Sequence, residues 1–275
     1  MLTPEFVERE YNNRALVPSH PEYFARWQRD SDFVRQTLPC TLDVPYGPAP
    51  RHRIDLFPAA RSDRTLVFIH GGYWRSLDKS MFSWLAAAWV AAGVNVAMPA
   101  YRLSPGASLE EIVDDALAAT TWLFDNGQKH GIDVGRVVLS GHSAGGHLTA
   151  AILAAPRERL RFDPARIAGA VPISGLFDFA PLKLFSFNAD FKLDDAAVAR
   201  LNLFDKRPTI PAPVVAAAGA AESSEFQRQT RLLAESWRPH VKSLLLLPGL
   251  DHFSVVDAFA ERGQPLYEET LALFK

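Results

Sequence analysis

An apolar run, Val137-Val138-Leu139, leads within one residue into Gly141-His142-Ser143-Ala144-Gly145-Gly146-His147. Glycines two positions either side of a serine, between a strand-like and a helix-like stretch, match the G-x-S-x-G pattern of a nucleophile elbow. In such a turn the serine backbone is strained, and a side chain at 141 or 145 collides with the adjoining strand or helix. The strain aims the Ser143 hydroxyl out of the sheet. A glycine-rich turn with an ordinary helix-capping serine satisfies the same five residues, so the weight falls on the rest of the chain.

A second element, His70-Gly71-Gly72-Tyr73-Trp74, follows the strand-like run Thr65-Leu66-Val67-Phe68-Ile69. Acyl transfer needs donors for an oxyanion, and a glycine-rich loop leaves backbone N–H groups free for that purpose. With the residue after the serine, the donors are expected at Gly71, Gly72 and Ala144. A plain glycine turn with a structural His70 is the competing reading, and the elbow later in the chain makes it the weaker one.

A nucleophilic serine also needs a base and an acid to orient it, in the chain order Ser, acid, His. Of the eight histidines, only His240 and His252 lie well beyond the elbow helix. His252 follows the run Leu244-Leu245-Leu246-Leu247, read as a buried strand, and precedes a helical stretch. His240 stands at the wrong end of that strand. Pro213-Val214-Val215-Ala216-Ala217-Ala218-Gly219 reads as another buried strand, and a carboxylate just beyond it stands where open α/β sheets gather their sites. Glu222 is the favoured acid. Glu225 is its rival, although Ser223 or Ser224 capping a helix with Glu225 in its first turn accounts for that carboxylate structurally, at about 1 kcal/mol or less. Asp251 neighbours His252 and points away from it on extended backbone.

The order of the chain is an alternation. A helical segment over about 1–38, interrupted by Pro18 and Pro21, precedes two short strands near 42–46 and 52–57, which form an antiparallel edge. Strands then follow at 65–70, 94–98, 136–141, 167–173, 213–219 and 242–247. Helical stretches lie between them at 80–92, 108–129, 144–154, 179–203 and 223–237, with a last helix at 265–274. Strands separated by helices imply right-handed crossovers and a mostly parallel sheet covered on both faces. One domain over 1–275 is expected, with a possible helical cap at about 177–208.

Other classes are disfavoured. Twenty-nine basic against 31 acidic residues leave a formal charge of −2, without the footprint of nucleic-acid binding. Residues 81–100 carry no charge, yet Gly93, Asn95 and Pro99 break them into a helix and a strand rather than a membrane span. The single cysteine, Cys40, and a start with neither a basic nor an apolar leader point to a reducing, cytoplasmic setting. Neither a zinc-type Cys/His spacing nor a phosphate or dinucleotide loop is present, so no metal and no cofactor is expected.

The combination resembles the α/β-hydrolase superfamily, in the esterase branch that pairs HGG with G-x-S-x-G. More narrowly it is similar to the kynurenine formamidase (arylformamidase) family. That likeness rests on Tyr11-Asn12-Asn13-Arg14, on Tyr46-Gly47 with Asp55-Leu56-Phe57, and on His70 to Trp74. It continues through Leu77-Asp78-Lys79-Ser80, Tyr101-Arg102-Leu103, Gly141 to Gly145, Ser174-Gly175-Leu176-Phe177-Asp178, Glu222 to Gln229, and His252-Phe253-Ser254. The resemblance implies Ser143 as nucleophile, His252 as base and Glu222 as acid, where the family usually carries aspartate. It implies a small acyl substrate, N-formyl-L-kynurenine, hydrolysed to kynurenine and formate, with Tyr73, Trp74, His142 and Phe177 lining the pocket. A broad carboxylesterase uses the same machinery. A non-catalytic receptor module on this fold usually lacks the serine or the histidine, and both are here.

Overall fold

The computed structural model describes residues 2–275. Where apolar residues repeat at helical spacing behind a capping residue, the chain forms helices: α1 (Pro4–Tyr11), capped by Thr3, then α2 (Asn13–Leu16) and α3 (His20–Thr37). The strands are β1 (Thr41–Pro45), β2 (Arg53–Phe57), β3 (Arg64–Ile69), β4 (Asn95–Pro99), β5 (Arg136–His142), β6 (Ile167–Ile173), β7 (Val214–Gly219) and β8 (Val241–Leu247). Between and after them run α4 (Leu85–Ala91), α5 (Leu109–Asn126), α6 (Ala144–Leu153), α7 (Asn188–Phe191), α8 (Asp195–Leu201), α9 (Ser224–Ser236), α10 (Ser254–Ala260) and α11 (Pro265–Ala272). Gly93 breaks the uncharged stretch at positive φ, so residues 81–100 divide into α4 and β4. No helix among the described residues is long and apolar enough to cross a membrane.

The strands join in one sheet of order β1-β2-β4-β3-β5-β6-β7-β8. β1 and β2 are antiparallel to their neighbours, and every pairing from β4 to β8 is parallel. Alternate residues of β3 bury on opposite faces. Val67 and Ile69 pack into a core shared with α5, α6 and α9, and Leu66 and Phe68 into one shared with α3, α4, α10 and α11. A sheet dry on both sides needs such near-continuous apolar strands.

β8 departs from the expected buried strand. It is the outermost strand, and its exposure alternates, with Leu244 38% exposed. Four consecutive leucines do not reveal whether a strand has one neighbour or two.

Candidate active site

The elbow follows from sterics. β5 ends at His142, α6 begins at Ala144, and Ser143 between them holds φ 56° and ψ −116°. A non-glycine residue there costs about 1–3 kcal/mol. The turn is held by the Ser143 N–H donating to Ile173 O at 2.8 Å and the His147 N–H donating to Ser143 O at 3.1 Å. A Cβ on Gly145 would lie 1.9 Å from Ile69 O, and one on Gly141 would lie 2.3 Å from Gly145 O. Both glycines are therefore obligatory.

The loop after β3 closes on this turn. A Cβ on Gly71 would lie 3.0 Å from His142 O and 3.2 Å from Ser143 Cβ, so the absence of a side chain lets the backbones approach. Gly72 takes φ 115° and accepts from the N–H groups of Arg75 and Ser76. The N–H groups of Gly71 and Gly72 meet no acceptor among the described residues. Ala144 opens α6, so its N–H is among those a helix leaves free at its positive end. His70 stacks on Tyr101 at 4.3 Å, and burial pushes its pKa down to about 4. It is a neutral structural residue.

His252 comes from the loop between β8 and α10. Its Nδ1 lies 2.6 Å from Glu222 Oε2, and a carboxylate only accepts, so Nδ1 carries the hydrogen and Nε2 is left free. The other carboxylate oxygen of Glu222 accepts from Ser174 Oγ at 2.5 Å and from the Gly219 N–H at 2.7 Å. The His252 ring lies between those of Phe226 and His142, at 4.5 and 4.6 Å. Burial, reinforced by His252, holds the His142 imidazole well below its usual range.

Glu225, in the first turn of α9, makes a different set of contacts. It accepts from the Tyr11 hydroxyl at 2.7 Å and from both Nε and Nη2 of Arg228. Gln229 donates to the Tyr11 hydroxyl and to Asp178 O, and accepts from the N–H groups of Phe177 and Asp178. This network ties the N-terminal segment to α9. Glu225 is 7% exposed, so its part is larger than the helix-terminus charge expected from sequence.

Ser143, His142 and His252 line one cavity of about 280 Å³. It can hold a small aromatic molecule against a strained hydroxyl, a carboxylate-bound imidazole and free backbone donors. No group of acidic, cysteine or histidine side chains suited to a metal ion occurs among the described residues.

A family model for the alpha/beta hydrolase fold matches residues 66–207, slightly more than half of the chain. The chain belongs to the alpha/beta hydrolase family.

Relatives of this hydrolase include the kynurenine formamidase of Salmo salar, 27% identical over 94% of this chain and 91% of that protein. The kynurenine formamidase of Drosophila melanogaster is 26% identical over 94% and 89%. A solved Silicibacter sp. TM1040 structure, provisionally described as a thioesterase, is 32% identical over 98% of both chains with a TM-score of 0.84. Esterase B of Lactobacillus rhamnosis shares the fold at 20% identity, over 94% and 93%, with a TM-score of 0.68.

Of the four residues expected to line the hydrolase pocket, Tyr73 and His142 do so. Trp74 and Phe177 do not. Tyr73 and Trp74 both hold positive φ, and the chain turns Trp74 into the core among His147, Phe179 and Phe191. Phe177, fully buried, packs against Gly175. Beside Phe187 of the expected cap segment, the cavity wall includes Phe24 and Trp27 of α3, Phe82 and Phe253. Aromatic residues are as often core as pocket, and periodicity does not separate the two. Ser174 was legible only as part of the resemblance; its place at the end of β6 is the signal that marks it.

Proposed function

We propose that this alpha/beta hydrolase is a serine hydrolase of aryl formamides, with N-formyl-L-kynurenine as its substrate. The observation that carries the reading is the 2.6 Å pairing of Glu222 with Nδ1 of His252, whose ring lines the same cavity as strained Ser143. The full-length likeness to kynurenine formamidases supports the substrate, as does an aromatic wall of a size to hold one aryl ring.

The reaction runs in two steps. Ser143 Oγ attacks the formyl carbon as its proton passes to His252 Nε2, and the carbonyl oxygen becomes an oxyanion held by the N–H groups of Gly71, Gly72 and Ala144. Glu222 stabilises the imidazolium. Nε2 then gives the proton to the leaving aryl amine, the C–N bond breaks, and a formyl ester remains on Ser143. Water, deprotonated by His252, attacks that ester and releases formate, and the proton returns to Ser143.

The test compares kcat/KM for N-formyl-L-kynurenine and p-nitrophenyl acetate. The formamide is intrinsically far less reactive, so a larger value for it requires binding specific to its transition state. Good turnover of short activated esters with none of N-formyl-L-kynurenine makes the protein a carboxylesterase on the same scaffold.

A further inference from the structure

The cavity wall carries two groups that the chemistry above does not use, and they are adjacent in sequence. Asn13 is 4% exposed, lines the cavity, and its amide Nδ2 has no hydrogen-bond partner among the described residues. A buried amide donor without a partner is destabilising, so the site is short of an acceptor. Arg14 lines the same cavity at its solvent side, with its guanidinium over the Phe24 ring at 5.6 Å and a long contact of 3.4 Å to Ser76 Oγ. No carboxylate among the described residues pairs with it. The second arginine of the wall, Arg75, is already neutralised by Asp190 at 2.6 Å and lies over Phe187. The lining residues include no Asp or Glu. One uncompensated positive charge and one unsatisfied donor thus stand on an otherwise aromatic wall that also holds Ser143.

We propose that Asn13 and Arg14 form an anion subsite of this cavity, which receives a carboxylate carried by the substrate beyond its aryl ring. The ring lies among the aromatic side chains, the acyl group reaches Ser143, and the carboxylate takes the Asn13 amide and the Arg14 guanidinium. The inference rests on the serine-hydrolase reading for the placing of the acyl group, and names the substrate class as aromatic carboxylates. A guanidinium suits the role because its planar fork meets both carboxylate oxygens.

The test is a binding measurement that needs no turnover. Calorimetry compares 3-benzoylpropionate, an aryl ketone with a carboxylate tail, with butyrophenone, the same skeleton without it. Wild type is expected to bind the carboxylate at least about tenfold more tightly, and Arg14→Gln to remove most of that preference while Arg14→Lys keeps part of it. Arg14 is exposed, so the variants test binding rather than folding. Equal affinities in wild type, or a preference unchanged in Arg14→Gln, overturn the proposal. Failure to hydrolyse N-formyl-L-kynurenine refutes the formamidase reading and leaves this comparison standing. An N-formyl aryl substrate with a carboxylate tail is expected to lose about tenfold in kcat/KM in Arg14→Gln, relative to 2-formamidoacetophenone, which has none.

Discussion

On one side of the cavity Ser143 is fixed by backbone, by β5 entering the turn and α6 leaving it, with glycines at 141 and 145 that admit no Cβ. On the other side Asn13 and Arg14 are fixed by side chains. Tyr11 donates its hydroxyl to Glu225 and receives a hydrogen bond from Gln229, while the Tyr73 hydroxyl donates to Tyr11 O. The first region holds the Ser143 turn to the sheet by steric exclusion. The second is a helical segment latched from more than 200 residues away in sequence, through hydrogen bonds that substitution can remove one at a time. On the proposed reading chemistry is thereby separated from recognition, and variants in the two regions are expected to fail differently.

The largest effect is expected at the first region. Ser143→Ala should lower kcat by more than about a thousandfold with the fold retained, checked by circular dichroism beside the assay. Glu222→Ala follows, at about two to four orders of magnitude in kcat, because the imidazole loses the partner that sets its tautomer. Across the cavity the outcome is of another kind. Glu225→Ala should cost about 1–3 kcal/mol in denaturant unfolding, since it leaves the buried Tyr11 hydroxyl without its acceptor. Its kcat on p-nitrophenyl acetate should stay within about tenfold of wild type, well short of the loss in a triad variant. Equal kinetic losses for the two glutamate variants would erase the distinction between the regions.

A smaller effect separates the dry sheet side by pH. Burial pushes the His70 pKa down to about 4 and that of His147 to about 3, both from an ordinary value of 6.5. Below pH 6.5 the unfolded chain binds protons that the folded chain refuses, so stability present at neutral pH is lost as pH falls toward those values. Unfolding midpoints should fall between pH 6.5 and 4, and His147→Gln should flatten that slope.

Much of the first region was legible because its residues are contiguous and each glycine has a steric reason. The choice of Glu222 over Glu225 rested on position beyond β7, and the structure brings Glu222 to His252. The second region was visible only as motifs without a purpose. Tyr11, Asp178, Glu225, Arg228 and Gln229 belong to segments whose meeting depends on the whole fold. Several other motif residues prove to be fasteners, such as Asp55, which takes Lys79 at 2.8 Å and Arg35 at 2.7 Å in a buried cluster. Trp74 and Phe177 were misplaced for a related reason. A loop residue's direction is set by its own φ and ψ, which composition does not encode.

The most direct measurement is covalent labelling by a fluorophosphonate, mapped by mass spectrometry of peptides and timed. A single adduct is predicted at Ser143, absent in Ser143→Ala, formed at least about a hundredfold more slowly in Glu222→Ala and at near wild-type rate in Glu225→Ala. A label on another residue, or a rate that depends on Glu225 and not on Glu222, would contradict the assignment of nucleophile and acid.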